Sequence, residues 1–305
     1  MLKVSSISKN YGNVTALNKV SFSLSPGKVY GFVGPNGAGK TTAMRIITGY
    51  LKPDDGDVLF SKRSILTDRK SISSEIGYLP ENNPLYENMR VDEFLIYINS
   101  IKGANRDDLK VIAVETGLTS VLNKEIGELS KGYRQRVGLA KAIIGTPKYL
   151  ILDEPSTGLD PNQKNEMLSL IKKLGEEKTV LFSSHVLSEV ESLADELLVI
   201  NQGKLVAKGS TKEISSKHVN KNLIKLKLNK PSTLVIPKIK KIKSVKEVKF
   251  VNKQEDNFYQ YEVYPNEDDK VNIDIFKTAV KEKWIISEIY REKSDLESIF
   301  RELTK

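Results

Sequence analysis

A glycine-rich segment is the feature that most constrains how this chain folds. It begins at Gly34, reads Gly-Pro-Asn-Gly-Ala-Gly-Lys-Thr and ends at Thr41. This spacing matches a phosphate-binding loop, and we predict a strand over residues 28–33 before it and a helix through about Gly49 after it. Glycines let backbone N–H groups point inward around an anion, and the helix presents its positive N-terminal end to the same anion. The sequence therefore predicts a polyphosphate site at the end of a buried strand.

The side chains of this loop suit a nucleotide and a metal ion. Lys40 supplies a mobile positive charge for phosphate oxygens, and Thr41 offers a hydroxyl ligand to Mg²⁺. The predicted nucleotide-binding residues of the loop are Gly34, Pro35, Asn36, Gly37, Ala38, Gly39, Lys40, Thr41 and Thr42. Because several classes of nucleotide-hydrolysing protein use such a loop, it indicates a nucleotide without selecting one reaction.

An acidic pair narrows the choice of reaction. Residues 149–152 read Tyr-Leu-Ile-Leu, which predicts a buried strand, and Asp153 and Glu154 follow it directly. Buried carboxylates are costly unless a cation balances them. We predict that Asp153 holds Mg²⁺, directly or through a water, and that Glu154 is a catalytic base, which polarises a water for attack on the γ-phosphate. GTPases often use a glutamine for that task, so the pair favours an ATPase.

A second anion site is predicted at the start of another helix. In the segment Leu-Ser-Lys-Gly-Tyr, residues 129–133, Ser130 is placed to cap the helix and Gly132 permits close backbone approach. The helix N-terminus and the Ser130 hydroxyl together would bind an anion. One ATP cannot occupy both this site and the distant glycine-rich loop of the same chain. We therefore predict that Ser130 and Gly132 complete the ATP site of a partner chain.

In this order, the motifs resemble the ATP-binding domain of ABC transporters over residues 1 to about 215. The matching segments are 34–42 (Walker A), 129–133 (signature), 150–154 (Walker B), 156–160 (D-loop) and Ser184-His185 (switch histidine). The resemblance implies a P-loop NTPase fold that hydrolyses ATP with Mg²⁺. It also implies a homodimer or a heterodimer with a related ATPase subunit, and a separate integral membrane permease as partner.

The resemblance assigns roles to three further residues. His185 would contact the γ-phosphate and help orient the attacking water, which makes it a catalytic residue beside Glu154. Asp160 would act across the dimer interface, and Tyr11 is similar to the aromatic residue that stacks on adenine.

Three positions depart from the pattern of the family. Lys131 and Tyr133 replace a glycine and a glutamine of the signature, while Ser130 and Gly132 remain. Glu81 occupies the position of the Q-loop glutamine, where its carboxylate would still ligate Mg²⁺ but adds a negative charge near the phosphates.

Two further segments resemble the type-two exporter subfamily, in particular its drug-resistance and gliding-motility-like subunits. Residues 76–81 read Ile-Gly-Tyr-Leu-Pro-Glu, and residues 83–86 read Asn-Pro-Leu-Tyr. The tail 296–304 follows the subfamily pattern Leu-Glu-x-x-Phe-x-x-Leu-Thr. The resemblance implies that the transported substrate moves outward.

The length of 305 residues predicts two domains. Residues 1–215 alternate strands and helices, which predicts an α/β domain with a largely parallel sheet and a helical subdomain at about 85–145, wholly helical over 91–121. Residues 220–305 predict a small α+β domain. A ferredoxin-like order of its elements is possible, although Pro231 and Pro237 argue against its first helix. A capping box of Ser294 and Glu297 predicts the start of a closing helix.

The charge pattern bears on the partners. The net charge is +9, and thirteen lysines against two acids lie between Lys208 and Lys249. We interpret this run as a solvated surface, since no aromatic residues interleave the lysines as they do in single-strand nucleic-acid sites. Nucleic acid is therefore an unlikely partner.

The hydropathy pattern bears on location. The sequence has no cysteine, no apolar run of the ~18 residues that span a bilayer, and no apolar stretch typical of a secretion signal at its N-terminus. We expect a cytoplasmic protein, held peripherally at the inner face of the cell membrane by its permease.

Two alternative functions remain open from the residues. A pore-less ABC ATPase acting on ribosomes or DNA would account for the lysine run, but such proteins usually carry two cassettes or long coiled coils. A regulatory subunit that binds ATP without turnover is the other alternative, and Glu154 and His185 argue against it. The favoured hypothesis is an ATP-hydrolysing subunit that powers export through a separate permease.

Overall fold

The computed structural model describes residues 1–218, 223–254, 257–266, 271–291 and 296–304. The chain forms two compact units. The first comprises Met1–Thr211 together with the C-terminal residues from Leu303 onward, and the second comprises Lys212–Glu302. None of the helices in these described ranges has both the length and the apolar character needed to cross a membrane.

The first unit contains ten strands and seven α-helices among its described residues. The strands are β1 (Leu2–Tyr11), β2 (Val14–Leu24), β3 (Val29–Val33), β4 (Asp55–Phe60), β5 (Arg63–Ser64), β6 (Ile76–Leu79), β7 (Tyr149–Leu152), β8 (Thr179–Ser184), β9 (Glu196–Asn201) and β10 (Lys204–Gly209). The helices are α1 (Lys40–Ile47), α2 (Arg69–Ser73), α3 (Val91–Lys102), α4 (Asp108–Glu115), α5 (Lys131–Ile143), α6 (Pro161–Gly175) and α7 (Leu187–Leu193).

The strands of the first unit form two sheets. The six-stranded sheet has the order β10-β9-β3-β8-β7-β6, and every pair in it is parallel except the β9–β10 pair. The four-stranded sheet, β2-β1-β4-β5, is antiparallel. The predicted α/β fold with a largely parallel sheet is confirmed. Because parallel strands end at the same edge, the carboxyl ends of β3, β7 and β8 lie side by side, where open α/β sheets bind ligands.

The core of the first unit explains why the central strands are largely apolar. Every residue of β3, β7 and β8 is buried, as expected for parallel strands covered on both faces. Helix α1 adds Met44 and Ile46 to a cluster that includes Phe32, Phe60 and Leu198. This packing fixes the end of β3, and with it the loop that leads into α1.

The helical region is not continuous, which corrects the prediction of a wholly helical stretch over 91–121. Helix α3 ends at Lys102 because Gly103 adopts a left-handed conformation with φ of 62°, a common way to end a helix. Helix α4 follows, and a short 3₁₀ turn spans Thr119–Val121.

The second unit is a small α+β fold. Its described elements are α8 (Thr211–His218), β11 (Ile224–Leu228), α9 (Ser232–Ile239), β12 (Val245–Lys253), β13 (Tyr259–Pro265), α10 (Val271–Lys281), β14 (Ile286–Arg291) and α11 (Leu296–Leu303). The sheet order is β12-β13-β11-β14 with all pairs antiparallel. From β11 to β14 the elements therefore follow the ferredoxin-like βαββαβ order.

The prediction that Pro231 and Pro237 disfavour the first helix of the ferredoxin-like order was wrong, since α9 forms there. Pro231 is the N-cap of α9, a place where its missing N–H costs nothing, and Pro237 lies within the helix. Pro237 removes only the bond to the carbonyl of Thr233, and Thr233 is an exposed residue. Ser294, half of the predicted capping box, lies outside the described residues.

Candidate nucleotide-binding and catalytic site

A cleft of about 450 Å³ opens at the carboxyl ends of β3, β7 and β8. It is lined by Val14, Thr15, Ala16, Asn36, Gly37, Ala38, Gly39, Lys40, Thr41, Thr42, Glu81, Glu154, Thr157 and His185. The structure thus brings most of the predicted loop together with Glu81, Glu154 and His185. These residues come from distant parts of the sequence, and the sheet topology alone makes them neighbours.

The backbone of the glycine-rich loop requires glycine at its turn into α1. Gly39 has a φ of 106°, and a Cβ there would lie 2.5 Å from the carbonyl oxygen of Ala16. Among the described residues, no side chain caps the N-terminus of α1. The first-turn N–H groups of Lys40, Thr41 and Thr42 therefore stay available for an anion, which the helix dipole also favours.

Lys40 is held between the loop and the acidic pair. Its side chain is buried, and its Nζ donates to the carbonyl oxygens of Gly34 at 2.7 Å and Pro35 at 3.3 Å. The same Nζ lies 3.6 Å from Oε1 of Glu154. A positive charge is thus fixed beside the carboxylate predicted to act on the γ-phosphate.

Asp153 is fully buried, as the apolar strand before it predicts. Its Oδ1 accepts a hydrogen bond from Ser183 Oγ at 2.7 Å, while its Oδ2 has no hydrogen-bond partner among the described residues. Burial raises the pKa of this carboxyl group, and the hydroxyls of Ser183 and Thr41 act in the opposite direction. An unpartnered buried carboxylate oxygen beside a threonine hydroxyl is chemically suited to a cation.

The donor set around Asp153 suits Mg²⁺ better than a metal held by protein alone. Within the described ranges, no three His, Cys, Asp or Glu side chains form a metal-holding cluster. Mg²⁺ is commonly bound through one or two carboxylates together with substrate phosphates. Asp153 and Thr41, next to the phosphate loop, fit that mode of binding.

Glu154 and His185 contact each other directly. Glu154 Oε2 lies 2.8 Å from Nδ1 of His185 and accepts a hydrogen bond from Thr157 Oγ1 at 3.0 Å. The Glu154 side chain is almost fully buried, whereas that of His185 is 49% exposed. The pair therefore presents a shielded carboxylate and an accessible imidazole to the same cleft.

Ser183 positions both acids and was missed by the sequence analysis. Its Oγ accepts from the backbone N–H of Glu154 at 2.8 Å and donates to Asp153. The signal that could have found Ser183 is the parallel register of β7 and β8. In this register Leu152 is opposite Phe182, so the next residues, Asp153 and Ser183, lie side by side. That register belongs to the folded sheet, which explains the omission.

Ser130 and Gly132 lie outside the lining of this cleft. Ser130 is the N-cap of α5 and accepts from the N–H of Tyr133 at 3.4 Å. A Cβ on Gly132 would lie 2.5 Å from Oε1 of Gln163, so the start of α5 packs closely against α6. Asp160, in turn, caps α6 by accepting from the N–H of Gln163 at 2.9 Å.

Tyr11 is also absent from the lining of the cleft. The nearby residues Val14, Thr15 and Ala16 line that cleft instead. Tyr11 itself is 49% exposed and lines a second cleft of about 640 Å³. The adenine-stacking role of Tyr11 therefore stays a prediction.

Comparison with known proteins decides the family. A family model described as "ABC transporter" matches residues 17–157. The lantibiotic transport ATP-binding protein SrtF of Streptococcus pyogenes is 37% identical over 207 residues, which cover 68% of this chain and 89% of that protein. This chain belongs to the ABC transporter family. Its relatives also include the bacitracin transport ATP-binding protein BcrA of Bacillus licheniformis, 35% identical over 224 residues and 72% of each chain.

The structural comparison agrees with the family. A solved structure of the ATP-binding subunit of an ABC transporter matches with a TM-score of 0.65 and 26% identity, over 71% of this chain and 92% of that one. The predicted P-loop NTPase fold and the predicted identity as an ABC ATP-binding subunit are confirmed. The protein is an ATP-binding, ATP-hydrolysing subunit of an ABC transporter, a class whose members dimerise and act with membrane permeases.

Proposed function

We propose that this ABC subunit powers the export of a substrate through a separate membrane permease by closing as a dimer on ATP. The observation that carries the proposal is the convergence of Lys40, Glu154 and His185 in one cleft. A buried carboxylate 2.8 Å from an imidazole and 3.6 Å from an ammonium group is arranged to act on water beside a phosphate.

The reaction assigned to the cleft is hydrolysis of the terminal phosphate bond of ATP. The N–H groups of the loop and Lys40 would hold the phosphates, Glu154 would accept a proton from the attacking water, and His185 would contact the γ-phosphate. Mg²⁺, held by Thr41 and Asp153 and reached by Glu81, would supply charge neutralisation for the phosphate oxygens. The described contacts of Ser183 hold Asp153 and Glu154 in place for these roles.

The position of the second anion site supports the proposed dimer. Ser130 and Gly132 lie at a helix N-terminus, a natural anion site, but outside the cleft of their own chain. A second chain in head-to-tail arrangement would bring them onto the phosphates held by the first chain. Differential binding of ATP to the closed pair then supplies the free energy for movement of the permease.

The second cleft is the surface that we propose for the permease. Its described lining includes the side chains of Tyr50, Ile98 and Ile101, of which Tyr50 and Ile101 are exposed, and contains no carboxylate. Pro80 and Asn82, which flank Glu81, also line it. Movement of a partner bound in this cleft would therefore displace Glu81 in the ATP cleft. A permease bound there would hold the subunit at the inner face of the membrane.

The outward direction and the kind of cargo are proposed from relatives. Two of them are named for the transport of lantibiotics and of bacitracin, and the sequence resembles drug-resistance exporters. The cargo itself would contact the permease, so its identity is set there.

Size-exclusion chromatography tests the dimer. Glu154→Gln should lose steady-state ATPase activity and elute as an ATP-bound dimer in Mg-ATP, because ATP binds but the closed state is not released. Glu177→Gln, on an exposed glutamate, is the matched control and should behave as wild type. A Glu154→Gln protein that keeps its ATPase activity, or stays monomeric at saturating ATP, would contradict the proposal.

A substitution in the second cleft tests the permease site. Ile101→Glu places a charge at an exposed apolar position, so it should abolish stimulation of ATPase activity by the co-expressed permease and leave the basal rate unchanged. Val111→Glu, at an exposed position of α4 outside that cleft, is the control.

A further inference from the structure

Glu189 is a buried carboxylate on α7 that does not line the ATP cleft. Only 5% of its surface is exposed, although the helix is short and begins at the surface just after His185. Burying a charge is costly unless it is paired and hydrogen-bonded. The hydrogen-bond and ion-pair partners of Glu189 therefore indicate which part of the structure the buried charge holds in place.

One oxygen of Glu189 joins the two segments that carry Glu154 and His185. Oε2 accepts from Ser156 Oγ at 2.8 Å and from Ser184 Oγ at 2.7 Å. Ser156 lies two residues after Glu154, and Ser184 directly precedes His185. Both hydroxyls are buried, so solvent does not compete for these bonds.

The other oxygen of Glu189 reaches a third segment. Oε1 lies 2.7 Å from Nζ of Lys164, in the first turns of α6, the helix that Asp160 caps. Burial acts to raise the pKa of Glu189, but Lys164, Ser184 and Ser156 outweigh it and hold that pKa below its ordinary value. The carboxylate is thus ionised at neutral pH. Its two oxygens can accept about four hydrogen bonds, and three donors contact them.

We propose that Glu189 is a positioning residue for ATP hydrolysis, which holds Ser156 and Ser184 together and thereby fixes the 2.8 Å contact between Glu154 and His185. The inference rests on the proposed roles of Glu154 and His185. The ends of β7 and β8 lie side by side through their register, yet the chain after β7 leaves the sheet before Ser156, and Glu189 ties Ser156 to Ser184, the last residue of β8. Misplacement of reacting groups by about 1 Å can cost on the order of 10²-fold in rate.

The first test replaces the carboxylate with its neutral isostere, whose single acceptor oxygen cannot accept from Lys164 and both serines at once. Glu189→Gln should lower kcat for ATP roughly 10- to 100-fold with little change in KM, because the residue contacts no nucleotide-binding group. Glu191→Gln, two residues later on the exposed face of the same helix, should keep the wild-type kcat. A wild-type kcat for folded Glu189→Gln would overturn the proposal.

A double-mutant cycle separates positioning from general destabilisation. Ser156→Ala removes one of the two hydroxyls, and its effect on kcat should be largely absent when Glu189→Gln is already present. Effects on kcat that simply multiply would overturn the proposal. If Glu189→Gln does not fold, Ser156→Ala decides alone, with a lowered kcat at unchanged KM supporting the proposal and a wild-type kcat refuting it. Glu154→Gln serves as reference, since activity retained there would instead refute the proposed function.

Discussion

Replacing Ser183 with alanine removes one oxygen atom that serves both acids of the site. In the wild type this atom donates to Oδ1 of Asp153 at 2.7 Å and accepts from the N–H of Glu154 at 2.8 Å. The alanine variant leaves Asp153 with neither oxygen hydrogen-bonded to a described residue, and the buried N–H of Glu154 without its acceptor. Each unsatisfied buried group costs about 1–3 kcal/mol, so with two such groups the first unit should lose about 2–6 kcal/mol of stability.

Two optical probes make this loss measurable in the intact chain. The only tryptophan, Trp284, lies in the second unit, so its fluorescence reports unfolding there, while far-UV circular dichroism reports the whole chain. In urea, Ser183→Ala should shift the dichroism transition to lower denaturant and leave the tryptophan transition in place. Ser188→Ala, at an exposed position of α7, is the control and should stay within about 0.5 kcal/mol of wild type. A Ser183→Ala protein as stable as this control would refute the reasoning.

Three further predictions concern strain and buried charge. Burial raises the pKa of the Asp153 carboxyl group, so its charge destabilises the folded, nucleotide-free protein at pH 7. Asp153→Asn removes that charge and should melt above wild type at pH 7, and the gain should vanish below the ordinary carboxyl range, where wild-type Asp153 is protonated in both the folded and the unfolded state. An equal Tm at pH 7 would contradict this. Burial, helped by Lys141, lowers the pKa of Lys102 to about 8, so folded Lys102 loses its proton before unfolded Lys102 does. Stability should therefore rise from about pH 8 to pH 10.5, and Lys102→Met should flatten that rise in urea titrations; a rise of equal size in the variant would count against the assignment. Gly39→Ala forces a Cβ against Ala16 at a φ of 106°, so it should cost about 1–3 kcal/mol and abolish ATP binding measured by calorimetry; wild-type affinity would refute this.

Local patterns predicted the parts of the site that lie next to a strand end. The loop around Lys40 and the pair Asp153–Glu154 both follow apolar runs, and a strand followed by chemistry-bearing residues is visible within ten residues of sequence. The parallel sheet then brings them together, as the alternation of strands and helices predicted. Local signals were sufficient here because each residue's position depends on its own strand.

Contacts between segments could not be predicted in the same way. Ser183 and Glu189 act through partners about thirty residues away, and a serine or glutamate near a strand end has no pattern that names its partner. Pro237 led to a wrong prediction because a rule for helix interiors was applied without knowing that Thr233, the residue whose carbonyl it leaves unbonded, is exposed. Register and exposure are properties of the fold, and sequence patterns carry them only indirectly.

The contacts of Glu189 also connect Glu154 to the surface that would meet the second chain of the proposed dimer. From Glu154, the chain continues to Ser156, whose hydroxyl binds Glu189, and Glu189 pairs with Lys164 on α6. Helix α6 packs through Gln163 against Gly132 at the start of α5, which is the surface proposed for a second ATP. Each link is a buried or close-packed contact, so a change in the environment of Glu154 has a direct mechanical path to the surface that the partner would use. The contacts proposed to position Glu154 and His185 therefore also form a route by which ATP cleavage in one cleft would weaken ATP binding in the other.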